Sequence, residues 1–238
     1  MILQHKSIIT EIERRPCPKG MSRARCAAVS CVENIARLEI HRRKISNEEI
    51  NRMPARQYEG EIFLVEDEGA FEAAVEMLEK EDVLGFDTET KPVFSKGRSH
   101  SPSVLQLAAA ERVYIFQFNK VPFGGKLALI LENPAIVKAG VAVRDDIREL
   151  QRLHHFNPAG FVDLSQIAKH NKLETHGLRN LAANFFDLRI PKGARCSNWA
   201  VKTLTQKQLL YAATDAWIGR ELYFAMRSKG LYFSLYGH

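Results

Sequence analysis

Five residues in three separate stretches carry the chemistry that this sequence can perform. In VLGFDTET, residues 83–90, Asp87 and Glu89 stand at alternate positions after an apolar run. Alternate residues of a strand point to one face, so the two carboxylates lie side by side where the strand leaves its core. Like charges that close repel, and their partial burial is costly without a cation. In GVAVRDDIREL, residues 140–150, a strand runs into a helix that opens with Asp145 and Asp146. Asp146, Leu150 and Leu153 recur at helical spacing on the apolar face, whereas Asp145, Glu149 and Arg152 share a polar one. Asp146 is therefore the inward candidate, and Asp145 a first-turn charge facing water. In TLTQKQLLYAATDAWIGRELYFAM, residues 203–226, Tyr211 and Asp215 stand four apart on one face of a helix that is apolar nearly all round. An Asp inside a buried helix needs a hydrogen-bonding partner or a metal, and the small residues of AATDA leave room for something to approach.

Four carboxylates without a histidine or cysteine among them form an all-oxygen donor set, which suits hard ions such as Mg2+ or Mn2+. Two such ions about 3.5–4 Å apart are the usual device for in-line displacement at phosphate. A phenol with an ordinary pKa of about 10 stays protonated near neutrality, so Tyr211 is suited to positioning a water or a phosphate oxygen rather than removing a proton. Each feature alone has a plainer reading. A strand-end carboxylate pair is more often a surface or capping feature, Asp146 a helix-start charge, and Tyr211–Asp215 a satisfied core pair. Their combination points to metal-dependent phosphate chemistry.

These residues must be positioned by an α/β domain. Strands are expected at 61–65, 83–89, 103–109, 112–118, 135–143 and 160–164. Helices are expected at 70–81, 125–132, from about Asp145 to Leu153, and at 164–171, 176–186 and 205–228. Ser46 with Glu49, and Thr205 with Gln208, have capping-box spacing. A basic Pro/Gly/Ser-rich loop, KPVFSKGRSHSP, joins the second and third strands. Neighbouring strands followed by alternating strands and helices predict a mixed sheet with helices on both faces.

The 238 residues suit one large domain, and 45% hydrophobic content supports a core. No stretch approaches the roughly 18 apolar residues of a membrane span, and the N-terminus has no basic-then-apolar leader pattern. A soluble cytoplasmic protein is the default expectation. The net charge of +6 is local: residues 1–44 hold ten Lys/Arg and four Asp/Glu, while 45–238 hold 24 of each. The basic excess thus says nothing about partners of the main body. Residues 1–44 read as a basic extension, disordered alone or the product of a start site placed too far upstream, with one short helix over 31–44. Residues 45–238 form the catalytic domain. Cys17, Cys26, Cys31 and His41 are four zinc-type donors in the extension, but their spacing favours free thiols over a zinc site. Cys196 alone lies in the body.

FDTETKP, KAGVAVRDDIREL and YAATDAWIGREL resemble the first, second and third motifs of the DEDD 3′–5′ exonucleases. Tyr211, four positions before Asp215, matches the tyrosine subgroup. Residues 195–216, RCSNWAVKTLTQKQLLYAATDA, are similar to Werner-type exonuclease domains and to ribonuclease D. The resemblance covers about residues 58–230. It implies a ribonuclease H-like fold and two-metal hydrolysis, with Mg2+ or Mn2+, that releases nucleoside monophosphates from the 3′ end of DNA or RNA. Single-stranded or recessed 3′ ends would be the substrate, and no membrane is involved.

In that scheme Asp87 bridges both ions, Glu89 and Asp215 complete the tighter site, Tyr211 orients the attacking water, and Asp146 holds the second ion partly through waters. Thr88 presents its backbone N–H to the terminal nucleotide, with its side chain on the opposite face of the strand. Lys91, Lys96 and Arg98 are candidate phosphate contacts, although a solvated basic loop explains them equally well. Arg195 and Lys202 flank Trp199, which is expected either to stack a base or to pack the helix N-terminus. The histidines show no ligand spacing. The rival reading is a catalytically silent nucleic-acid-binding module on the same fold, which usually lacks one of the acidic ligands. A structure-specific endonuclease is a third. Because His238 lies 23 residues past Asp215, a stand-alone domain of low processivity is expected.

Overall fold

The computed structural model describes residues 44–93 and 100–231. The N-terminal expectations for residues 1–43, and those for Lys96 and Arg98, lie outside the described residues.

The expected strands assemble into one mixed six-stranded sheet. They are β1 (Glu61–Val65), β2 (Val83–Thr90), β3 (Pro102–Ala108), β4 (Arg112–Gln117), β5 (Val137–Gly140) and β6 (Phe161–Asp163), in the order β1-β4-β3-β2-β5-β6. The antiparallel core is β2–β3–β4. The outer pairs β1–β4, β2–β5 and β5–β6 are parallel. β2 is thus central, and Val83 to Phe86 form a continuous buried run because both faces of the strand are covered.

Seven helices complete the described fold: α1 (Asn47–Arg52), α2 (Glu68–Leu78), α3 (Gly125–Glu132), α4 (Val143–Leu153), α5 (Leu164–His170), α6 (Leu178–Phe186) and α7 (Gln206–Ser228). Both capping boxes are present. α2 opens two residues earlier than its apolar period suggests because the Asp67 side chain accepts from the Ala70 N–H at 2.8 Å. β5 is shorter than expected, and α4 takes up Val143 as its first residue.

The period of two decides what each face of β2 meets. Leu84 and Phe86 join Leu105, Leu107, Tyr114 and Phe116 in a core shared with α2, α3 and α4. Burying each such side chain contributes about 1.5–3 kcal/mol. On this side the buried Lys138 ammonium donates to the carbonyls of Ile130 (3.2 Å), Asn133 (2.7 Å) and Ile136 (2.7 Å) at the C-terminal end of α3. Burial pulls Lys138 down, to about 7, but three carbonyl acceptors favour the charged form, since a neutral amine offers only two N–H groups.

The opposite face lies under α7. Ala212, Ala213 and Ala216 pack on Val104, Ala108, Val113 and Ile115. A Cβ at Gly85 would stand 2.0 Å from the Ala216 carbonyl oxygen, and one at Gly219 would stand 3.1 Å from the Ala139 carbonyl oxygen. The space left by the small residues around Asp215 is therefore filled by the sheet itself. That close approach sets the site.

Candidate active site

Asp87 and Glu89 project from the α7 face of β2, one residue pair beyond Gly85, and Asp215 precedes the Ala216 that rests on Gly85. A carboxylate oxygen from each of Asp87, Glu89 and Asp215 lies within 4.8 Å of the others. Glu89 and Asp215 are 9% and 8% exposed. Two unit charges at that separation repel by on the order of 3 kcal/mol at an effective dielectric of about 20, so the three cannot all stay ionised without a cation.

Their protonation behaviour expresses this directly. Burial, then the charges of Asp215 and Asp146, hold Asp87 well above the usual carboxylate range. Burial and the neighbouring Asp87 push Glu89 up to about 10. Burial raises Asp215 to about 7, against the opposing pull of the Tyr211 hydroxyl and of Arg179 and Arg195. Tyr211 is itself raised, by burial first and by the charges of Asp215 and Glu89 next, so its phenol keeps its proton and is available as a hydrogen-bond donor. An oxygen-only, convergent and water-shielded donor set of this kind fits a hard divalent ion.

Asp146 stands outside that triad. It comes from α4, on the Thr88 side of β2, and its Oδ1 accepts from the Thr88 hydroxyl at 2.5 Å. Burial raises it to about 6, opposed by that hydrogen bond, and its charge reaches both Asp87 and Glu89. Thr88 thus points away from its two acidic neighbours, as alternation requires, and links the fourth carboxylate to them through β2. Asp145 faces solvent in an ion pair with Arg148, as its place on the polar face predicts. Leu153 does not close the apolar stripe of α4: it is 41% exposed, and Val143 and Leu150 are the buried residues of that helix.

One expected substrate contact is corrected. Trp199 is wholly buried, with its ring centroid 6.1 Å from that of Tyr211 and its indole N–H without a partner among the described residues. With no open ring face it cannot stack on a base; it supports Tyr211 from behind. Arg195 is exposed and borders a cavity of about 340 Å³ that is also lined by Phe86, Asp87, Gly140, Val141, Leu178 and Asp215. Lys91 is exposed just past the end of β2.

Two further residues near the site have no motif around them in the sequence. Arg179, on α6, acts on Asp215 across the chain and anchors its Nε to the Ile190 carbonyl at 3.0 Å. Gln106 stands opposite Asp87 in the β2–β3 ladder, is wholly buried, and has neither side-chain polar atom partnered among the described residues. A glutamine inside the apolar run SVLQLAA was the available signal.

The mixed six-stranded sheet, with Asp87 and Glu89 on β2 facing Asp215 of α7, has the ribonuclease H-like fold. The chain belongs to the 3′–5′ exonuclease domain family, whose model matches residues 62–230. Among sequence relatives, it is 36% identical over 155 residues to the bifunctional 3′-5′ exonuclease/ATP-dependent helicase WRN of Mus musculus, covering 63% of this chain and 11% of that one. It is 34% identical over 158 residues to exonuclease 3′-5′ domain-containing protein 2 of Homo sapiens, covering 61% of this chain and 25% of the relative. The chain therefore spans a minor part of the length of these relatives. Among solved structures, the Aedes aegypti Nibbler EXO domain superposes with a TM-score of 0.67 at 24% identity, over 73% of this chain and 92% of that one. Escherichia coli RNase D superposes with a TM-score of 0.63 at 19% identity, over 71% and 46%. Both share the fold.

Proposed function

We propose that this domain removes nucleotides singly from the 3′ end of DNA or RNA by metal-dependent hydrolysis. The observation that carries the reading is the meeting of Asp87, Glu89 and Asp215 from a strand and a helix, with Tyr211 one turn before Asp215. Asp87 would hold two ions, Glu89 and Asp215 the tighter one and Asp146 the second, partly through water. Mg2+ or Mn2+ in this place would supply Lewis acidity at the phosphate and lower the pKa of the attacking water. In the net reaction water oxygen bonds to phosphorus, the P–O3′ bond breaks, and a nucleoside 5′-monophosphate leaves a shortened strand ending in a 3′-hydroxyl.

Four of the chain's own residues prepare this step. The protonated Tyr211 phenol orients an oxygen next to Asp215. Arg195, on the rim of the cavity, offers a positive charge to the bound phosphate. Lys91 meets the next phosphate as the strand passes the end of β2, and the Thr88 backbone N–H faces the terminal nucleotide. Among the described residues no helix is long and apolar enough to cross a membrane. The silent-module reading is not favoured, because all four carboxylates and Tyr211 are retained.

Matched 5′-labelled DNA and RNA oligonucleotides, incubated with the protein and Mg2+ or Mn2+, test the proposal. A ladder of single-nucleotide steps is expected, absent for Asp87→Ala and for Asp215→Ala. Activity that persists in both variants overturns the assignment.

A further inference from the structure

We propose that Asp163 is a positioning residue of this site: it clamps the turn between β5 and α4 in the shape that delivers Asp146. The inference rests on the exonuclease reading above.

β5 ends at Gly140 and α4 begins at Val143, so Val141 and Ala142 are the whole connection. Ala142 has φ 61° and ψ 35°, a left-handed conformation disfavoured for any residue with a Cβ. Such a conformation persists where its surroundings over-determine it. Ala142 is also the N-cap of α4, and an alanine there offers no side-chain acceptor, so nothing local sets where the helix starts. The missing restraint comes from another element. The Ala142 N–H donates to Asp163 Oδ1 at 3.0 Å.

That oxygen is itself held by a second pair of donors. It accepts from the Ser165 N–H at 2.9 Å and from the Ser165 hydroxyl at 2.7 Å, which makes Asp163 the N-cap of α5. Asp163 also pairs with Gly140 in the β5–β6 ladder. On the far side of the turn there is no slack. A Cβ at Gly140 would stand 2.4 Å from the Phe86 carbonyl oxygen and 2.6 Å from Val143 Cγ1. The turn is thus pressed against β2 and pinned by one carboxylate. Two features of the site depend on its shape. Val141 lines the cavity beside Asp87 and Asp215. Asp146, on the first turn of α4, meets the Thr88 hydroxyl.

The test uses calorimetric titration of Mn2+, amide exchange at Ala142 and oligonucleotide digestion on one set of variants. Asp163→Ala is expected to weaken Mn2+ binding about tenfold, the usual effect of losing a residue that orients a ligand. It should also speed exchange of the Ala142 amide and lower kcat more than it raises KM. Asp163→Asn keeps an oxygen acceptor and should bind Mn2+ within about threefold of the unaltered protein. Adding Ala142→Gly to Asp163→Ala should restore part of the Mn2+ affinity, since glycine takes a positive φ without a clamp. A purely structural role would lower the melting temperature of Asp163→Ala and leave its Mn2+ affinity unchanged, and that result overturns the inference. Loss in Asp163→Asn as deep as in Asp163→Ala, or no recovery on adding Ala142→Gly, overturns it as well. If the unaltered protein digests neither DNA nor RNA, the exonuclease reading fails, while the Mn2+ isotherms and amide exchange still report on the clamp.

Discussion

Asp215 is held between opposing influences: burial favours its neutral form, while Tyr211, Arg179 and Arg195 favour its charge. Replacing Tyr211 by Phe removes one of the latter and the donor that orients an oxygen. Tyr211→Phe should lower kcat roughly 10- to 100-fold with little change in KM, the scale expected for a misplaced reacting group. In the metal-free protein it should also raise Asp215 above about 7, which an NMR titration of the side-chain carboxyl can follow. At this scale much was legible in the sequence. The alternation that pairs Asp87 with Glu89, and the helical spacing that pairs Tyr211 with Asp215, are local properties of the chain. The reading of Asp146 over Asp145 came from the same periodicity. Of the two expectations for Trp199, base stacking fails because neighbouring cations in sequence say nothing of its burial against α7. Arg179 and Asp163 reach the site through tertiary contacts that no local pattern records, whereas the polar break that Gln106 makes in SVLQLAA is a local signal.

At the scale of elements, the contact of α7 with β2 is the critical one. Gly85 and Ala216 bring backbone against backbone; Asp87 lies two residues beyond Gly85 on the same face of β2, and Asp215 immediately precedes Ala216 on α7. A methyl group at Gly85 has no room beside the Ala216 carbonyl, so Gly85→Ala should lift α7 from the sheet. We expect a loss of about 1–3 kcal/mol in stability, measured by urea denaturation, and a fall in activity larger than the unfolded fraction explains. Gly219→Ala, with a looser 3.1 Å contact, should be milder on both counts. Strand and helix identities followed from apolar periods and capping boxes, whereas boundaries shifted where tertiary contacts set them. The start of α4 is the clearest instance. No residue type near Ala142 announces a left-handed turn, and the clamp that stabilises it lies 21 residues further along the chain.

For the whole molecule, the acidic cluster predicts a pH dependence that a metal ion should remove. Asp146 and Asp215 have folded pKa values of about 6 and about 7, above the ordinary 3.8. The folded chain therefore binds more protons than the unfolded one across that interval, and its stability falls as pH rises from about 4 to about 7. Lys138, lowered to about 7, opposes this slope only from about pH 6 upward, where the folded chain begins to lose that proton and the unfolded chain keeps it. The melting temperature of the metal-free protein should fall more steeply between pH 5 and 7 than that of Asp215→Asn, by roughly a few degrees. Saturating Mg2+ or Mn2+ should flatten the difference, because bound cations favour the ionised carboxylates.

The most direct test of the central claim is an anomalous difference map from crystals soaked in Mn2+. The account predicts a peak held by Asp87, Glu89 and Asp215 at oxygen distances of about 2.1 Å, lost in crystals of Asp87→Asn. Manganese bound elsewhere, or a peak that survives that substitution unchanged, would contradict it.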